Sequence, residues 1–347
     1  MSNSKKITIK EIAEIAGVSK STVSRAIDGN PRISNETRNK ILSIIEQYGY
    51  TPNSAARNLA RNKTYAIGIV MPHGESDIYS TTFFQETLKG ICNTVSDSNY
   101  DVMITAGNPT EPEAIKRLIS TSKVDGIILL RSTLRDSNIE TLLENNFPFV
   151  LIGSSRVYKN IYSVDNNNKL ATFSLTKHIL ENGKDRVAFI GGVESSTVTI
   201  QRLEGYKQCL KDSGINANEA YICQGDFSEK HGYDSMKKLM SMSVKPDSVI
   251  VMDDSMCIGA MKYLEEKNIS IPQEISVACF NESSYTKYSK PAITAVKVDS
   301  YQLGLGATEI LLSVLSGKKV EPGCKYIGHE ILKRESTLSN KPIKKPI

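Results

Sequence analysis

The stretch "EIAEIAGVSKSTVSRAID", residues 11–28, sets two short apolar patterns around Gly17 and then turns small hydroxyls and an arginine outward. Thr8 stands three residues before Glu11, the capping-box spacing, and Ile9, Ile12, Ala13 and Ala16 follow at i, i+3, i+4 and i+7. A short amphipathic helix ending at Gly17 is predicted. Ser19 is a good N-cap for a second helix with Val23, Ala26 and Ile27 on its apolar side. Turning about 100° per residue from Val23 puts Ser21, Arg25 and Asp28 opposite and Thr22 and Ser24 on the flanks. Lys20 and Ser21 fall in the exposed first turn. Ser34 caps a third helix in which Arg38, Ile41, Leu42, Ile45 and Tyr48 recur at helical spacing up to Gly49. Two helices joined by a tight glycine turn form a helix-turn-helix whose second helix fits the major groove of DNA. The fork of Arg25 can bond guanine O6 and N7 together.

Charge separates this reading from a merely solvated helix pair. The 347 residues carry a net +5, of which residues 1–63 hold +6 and the remainder −1. A small polyanion-binding module attached to a near-neutral body is implied. The length predicts two or three domains, and 39% hydrophobic against 23% charged residues suits folded ones. No run approaches about 18 apolar residues, and no apolar segment follows the basic start. A cytoplasmic protein without a membrane segment is expected. Cys92, Cys209, Cys223, Cys257, Cys279 and Cys324 form no CxxC pair and are read as reduced and buried.

Within "YTPNSAARNLARNKTYAIGIV", residues 50–70, Pro52 suits a first helical turn, but beside alanines such as Ala55 and Ala56 the helix-favouring segment has Leu59 as its only large apolar residue. Helices shorter than about 12–15 residues are marginal alone. A hinge over 52–63 that becomes helical on DNA is predicted, with Leu59 either a minor-groove wedge or packed on the third helix.

Beyond residue 64, "AIGIVM", "YDVMITA", "VDGIILL" and "FPFVLIG" alternate with helical stretches, and after "SVDNNNK" the rhythm restarts with "RVAFIGG", "SVIVM" and "ISVACF". Two doubly wound parallel sheets are predicted, without a detectable internal sequence repeat. Ligands of such sheets lie beyond the carboxyl ends of strands. That rule selects Phe83 and Phe84, Gly107 and Asn108, Arg131, Gly153 and Ser154 in the first half. In the second it selects Asp165 and Asn166, Arg202 near a helix start, Asp253 and Asp254, and Asn281 and Glu282. Adjacent Phe83 and Phe84 diverge by about 100°, so one should line the cleft and the other fill core. Asp254 reads as the purer helix cap of its pair, and the bland reading of Arg202 is a surface ion pair with Glu204. Neither GxGxxG nor GxxxxGK[ST] follows a strand, GxSxG and HExxH are absent, and His73, His178, His231 and His329 are scattered. No catalytic residue, metal or cofactor is expected.

In "TIKEIAEIAGVSKSTVSRAID", "YGYTPNSAARNLA", "AIGIVMP", "VDGIILL", "VDNNN", "RLEGYKQCL" and "DDSMCIGAMKYL" the chain resembles the LacI/GalR family of bacterial transcription regulators over residues 7–338. The resemblance implies an all-α head over 1–51, a hinge over 52–63, a body over 64–340 of periplasmic-binding-protein type, and a basic tail over 341–347. It places one subdomain at 64–163 and 292–327, and the other at 164–291 and 328–340. Lys20, Ser21, Thr22, Ser24 and Arg25, with hinge residues Asn53, Ala56 and Leu59, then contact operator DNA. Phe83, Phe84, Arg131, Asp165, Arg202, Asp253 and Asn281 then bind the effector, although Asn281 stands where several members have an aspartate. "SVDNNNKLATFSLTKHIL" resembles maltose-operon repressors, implying a sugar-controlled homodimeric repressor. Control by a phosphocarrier protein is the alternative within the family. A solute-binding transport protein, the alternative from another class, leaves the basic head without a purpose.

Overall fold

The computed structural model describes residues 7–50, 63–72, 81–107 and 111–338, which divide between two compact units, Met1–Thr64 and Tyr65–Ile347. The expected hinge residues Asn53, Ala56 and Leu59, together with His73, Asn108 and the tail 341–347, lie outside the described residues.

In the first unit, α1 (Ile9–Ala16), α2 (Lys20–Ile27) and α3 (Asn35–Gln47) start where their cap residues dictate. Thr8 and Glu11 close a reciprocal capping box, Ser19 caps α2 and Ser34 caps α3. Gly17 takes φ 69°, the left-handed conformation that ends α1. Ile12, Ala13, Ala16, Val23, Ala26, Ile41 and Ile44 form the core. Three short helices cover one stripe each, so α3 buries Ile41 and Ile44 while Leu42 and Tyr48, expected at core spacing, stay 43% and 48% exposed. A unit of this size holds only about 0.05–0.15 kcal/mol of stability per residue. Ile41→Ala, at about 2–5 kcal/mol, should therefore unfold the head. Calorimetry should show the small transition vanish with the body transition unmoved; two unchanged transitions would refute the packing described.

In the second unit, the first half contains β1 (Ala66–Pro72), α4 (Thr82–Ser96), β2 (Asp101–Gly107), α5 (Glu113–Ser120), β3 (Gly126–Leu130), α6 (Ser137–Glu144), β4 (Phe149–Ile152) and β5 (Tyr162–Asn166). The second half contains α7 (Asn168–Glu181), β6 (Val187–Gly191), α8 (Thr197–Asp212), β7 (Ile222–Gln224), α9 (Glu229–Met240) and β8 (Ser248–Val251), then α10 (Asp254–Glu266), β9 (Ser276–Phe280), α11 (Ser284–Tyr288) and β10 (Thr294–Val298). Helix α12 (Ser300–Leu315) and β11 (Gly323–Ile327) return to the first half, and β12 (His329–Leu332) returns to the second.

The sheets run β11-β5-β4-β3-β1-β2 and β12-β10-β9-β8-β6-β7, parallel except for β12 against β10. Both follow one winding pattern, a structural repeat with no visible counterpart in the sequence. Strands β3, β4, β6, β8 and β9 are buried along their whole length, which explains their unbroken apolar runs. Two crossings fall later than expected. Strand β5 continues pairing past Ser163 to Asn166, and β10, beyond Pro291, still belongs to the second sheet. The cysteine reading also needs correction, because Cys92 is exposed on α4 and Cys324 half-buried on edge strand β11.

Helices α9 and α10 touch backbone to backbone. A Cβ on Gly232 would stand 1.9 Å from Met256 O, and one on Gly259 1.8 Å from Glu229 O, so no larger residue fits this crossing. That contact fixes the start of α10, where one of the cleft carboxylates sits.

Candidate functional site

On the head, Lys20, Ser21, Ser24 and Arg25 are exposed and Thr22 is half-buried. The cap organises the first turn of α2: Ser19 Oγ accepts from Thr22 N at 3.2 Å and lies 2.8 Å from Ser21 Oγ and 2.9 Å from Thr22 Oγ1. Lys20 and Arg25 make no ion pair among the described residues. The positive end of α2 and two cations therefore share one surface suited to phosphate and base edges. Behind it, Lys40 Nζ donates to Ala16 O at 3.1 Å and Arg38 Nη2 donates to Asn30 O at 3.0 Å, tying α3 to the end of α1 and to the loop after α2.

In the body, a narrow cleft with about 50 Å³ of free volume opens beyond the carboxyl ends of both sheets. It gathers Phe83, Arg131, Asp165, Arg202, Asp253 and Asn281. Phe84 does not line it. Helical geometry turns that ring into the core at 0% exposure, edge-on to Phe83 at 5.1 Å. Phe84 still lies beneath Arg131, whose guanidinium is 5.0 Å from its ring and 4.2 Å from that of Phe227.

Arg202 anchors the cleft. It is 5% exposed, on the second turn of α8, which begins at Thr197 instead of near Arg202. Its Nε donates to Asn168 Oδ1 at 2.9 Å, its Nη1 donates to Met252 O at 2.6 Å, and its fork stacks 3.7 Å from the Phe280 ring. Glu204 pairs with Arg156, so the surface ion-pair reading of Arg202 is overturned. Burial pulls the Arg202 pKa down to about 9, opposed by the charges of Asp253 and Asp165, and it stays cationic at neutral pH. Two of its five N–H groups are committed to these protein acceptors, which leaves donors for a ligand.

Asp253, not Asp254, caps α10: its Oδ1 accepts from Ser255 N at 2.9 Å and its Oδ2 accepts from Asn281 Nδ2 at 3.2 Å. The strand decides this. Met252 N still bonds to Ile190 O, so the chain first leaves the sheet at Asp253. Asn281 has φ 67° and Arg131 φ 69°, each immediately after its strand. The backbone N–H of each still bonds to the neighbouring strand, Asn281 to Val296 O at 3.0 Å and Arg131 to Ile152 O at 3.1 Å. Such left-handed geometry costs about 1–3 kcal/mol for a non-glycine residue and clusters at binding sites. Asparagine tolerates it well, and an aspartate at 281 would face the Asp253 carboxylate. The Asn281 Oδ1 is buried without a hydrogen-bond partner.

Sequence reasoning missed Asn168, Ser132, Thr197 and Phe227. Asn168 Nδ2 donates to Asp165 Oδ1 at 3.1 Å while its Oδ1 receives Arg202, making one network of three. The first of three consecutive asparagines, Asn166, also lines the cleft, so that run was the available signal. Across the cleft, Leu134 N donates to Ser195 O at 2.8 Å, Thr197 N to Ser132 O at 3.0 Å, and Gln201 Nε2 to Ser154 Oγ at 2.8 Å. These bonds join the two halves along one edge.

Burial pushes Asp254 up to about 7, with the Asp253 charge adding to it, and burial lifts Asp165 to about 6. Both folded values exceed those of free carboxylates, so from about pH 4 to 7 the folded body holds protons that the unfolded chain has released. Stability should fall as pH rises through that window. Thermal melts should place the body midpoint higher near pH 5 than near pH 8, and Asp254→Asn should flatten the upper part of the slope. An unaltered slope in the variant would contradict the assignment.

Residues 8–53 match the family described as bacterial regulatory proteins, lacI family, and residues 176–337 match the periplasmic binding protein-like domain. The chain is 32% identical over 334 residues to the HTH-type transcriptional regulator MalR of Streptococcus pneumoniae, covering 94% of this chain and 99% of that one. It is 28% identical over 334 residues to catabolite control protein A of Priestia megaterium, covering 95% and 99%. The solved lac repressor dimer bound to operator and the anti-inducer ONPF aligns with a TM-score of 0.84 at 23% identity, over 96% of this chain and 100% of that one. The chain belongs to the lacI family: it is a DNA-binding transcription regulator and not an enzyme. Among the described residues no helix is long and apolar enough to cross a membrane.

Proposed function

We propose that the chain is a cytoplasmic repressor that binds a pseudo-palindromic operator as a homodimer, and that a neutral sugar of maltose type in the cleft sets its DNA affinity. The observation that carries this reading is the buried Arg202, held by Asn168 and Met252 O and flanked by the Asp165 and Asp253 carboxylates under the aromatic wall of Phe83 and Phe227. Paired donors and acceptors of opposite charge suit hydroxyl groups, and the aromatic faces suit the C–H face of a sugar ring. The similarity to MalR supports the maltose class.

In this account Lys20, Ser21, Thr22, Ser24 and Arg25 read a half-site, and hinge residues Asn53, Ala56 and Leu59 reach the minor groove between two half-sites. An effector shifts DNA affinity only by its differential affinity for the two body conformations, typically about 1–3 kcal/mol. The similarity to catabolite control protein A favours a second reading, in which a phosphocarrier protein binds the body and sets the affinity. Calorimetric titration of the full chain with maltose and maltotriose separates the two. Saturable sugar binding is expected; heat released only with a phosphocarrier protein would favour the second reading.

A further inference from the structure

We propose that a polar seam between α8 and the first half holds the cleft shut, and that a ligand must part this seam to reach Arg202. Gln201 and Glu204 are then positioning residues that set ligand affinity and the direction of the DNA response. The inference rests on reading the cleft as the sugar site.

The seam is built on one helix. Thr197, Gln201 and Glu204 follow at i, i+4 and i+7, one stripe of α8, and each meets a residue of the first half. Thr197 N donates to Ser132 O at 3.0 Å, and its Oγ1 lies 3.2 Å from Ser132 Oγ. Gln201 Nε2 donates to Ser154 Oγ at 2.8 Å, and Glu204 pairs with Arg156. Just before the helix, Thr133 and Ser196 form an antiparallel bridge flanked by the bond from Leu134 N to Ser195 O at 2.8 Å. All the first-half partners lie in the loops that follow β3 and β4. Arg202 stands next to Gln201 on the same helix, so a ligand that displaces α8 through Arg202 displaces the seam with it.

With the seam closed, the cleft takes no ring. Its free volume of about 50 Å³ suits one or two water molecules at about 30 Å³ each, whereas small-molecule sites measure about 300–1,000 Å³. Inside it, the Arg131 guanidinium of the first half lies 4.2 Å from the Phe227 ring of the second, so the two walls already touch. A wider space of about 460 Å³ outside reaches Phe83 and Asn281 but neither Arg202 nor Asp165. A ligand gains Arg202 only when the halves separate. The bonds given up are few, and the Arg156–Glu204 pair is largely exposed and therefore weak. A chain whose binding-competent form is the minor one binds more weakly by that fraction, so loosening the seam should tighten ligand binding.

The test is Gln201→Ala/Glu204→Ala in the full chain. Neither residue lines the inner cleft, and alanine suits a helix, so the thermal midpoint should stay close to that of the wild type. The amides of Leu134 and Thr197, which bond across the seam, should exchange hydrogen slowly in the wild type and about fivefold or more faster in the variant. Calorimetric titration should show maltose or maltotriose binding the variant about fivefold or more tighter. Operator affinity of the variant without sugar should move in the direction that saturating sugar moves the wild type. Unchanged exchange at both amides, or sugar binding that is unchanged or weakened, overturns the proposal. Sugar binding to neither chain overturns the sugar reading, and the exchange rates alone then decide the seam.

Discussion

Arg202→Ala should abolish the response to ligand and destabilise the body in the same step. Truncating one member of a buried, hydrogen-bonded charge pair costs about 2–5 kcal/mol of binding, a loss of about 30-fold or more. The fold suffers because Asn168 Oδ1 and Met252 O lose their donor and the Asp165 and Asp253 carboxylates lose the cation between them. Leaving such charges buried and uncompensated costs about 3–5 kcal/mol. The companion Arg202→Met/Asp253→Asn separates the two effects. It removes charge of both signs, so it should recover part of the stability while ligand affinity stays lost. Chemical denaturation reads the first quantity and titration the second. A wild-type ligand affinity in Arg202→Ala would remove this residue from the site.

Arg25→Ala should weaken operator binding by about 1–3 kcal/mol and relax base preference at one position of each half-site. The side chain is exposed, makes no ion pair among the described residues, and stands on α2 away from the core residues Val23 and Ala26. Its removal should therefore leave the melting of the head unchanged. Anisotropy titrations at fixed salt on operator and scrambled duplexes provide the measurement. An equal loss on both duplexes would assign Arg25 to a phosphate instead of a base, and the slope of affinity against salt would then fall by about one ion.

The head was legible because its signals are local. Thr8, Ser19 and Ser34 cap their helices through bonds reaching three residues ahead, so sequence spacing alone specifies them. The phase of α3 was harder to read, since Leu42 looks as apolar as Ile41 and only the contact with α1 and α2 chooses between them. In the body, unbroken apolar strands such as β3 and β9 stood out, whereas β5, β7, β10, β11 and β12 were hidden. These are short or break the apolar run with polar residues, buried ones in "YSVDN" and partly exposed ones in "GCKYI" and "HEIL". That is why the sequence pattern puts the crossings before Asn166 and Val298.

Of the cleft, residues directly after obvious strands were readable: Arg131 after β3, Asp253 after β8 and Asn281 after β9. The choice between Asp253 and Asp254 turned on one further strand bond from Met252, which composition does not encode. The β-branched run Thr197, Val198, Thr199 and Ile200 hides the true start of α8, so in sequence Arg202 looks like part of a helix start although it lies on the second turn. Phe227 follows β7 and Asn168 opens α7, and only the tertiary fold brings both to Arg202 and Arg131.

Operator reading by the head and its control from the cleft can be tested together. One measurement tests both parts: anisotropy titration of the purified chain on DNA upstream of its own and neighbouring sugar genes, at one salt concentration, with and without maltose or maltotriose. Specific binding at about 10 nM or tighter is expected, with a shift of about 5- to 150-fold with one of the sugars. Tight binding that no sugar shifts, together with an unaltered affinity in Arg202→Ala, would contradict the claim that the cleft controls the head.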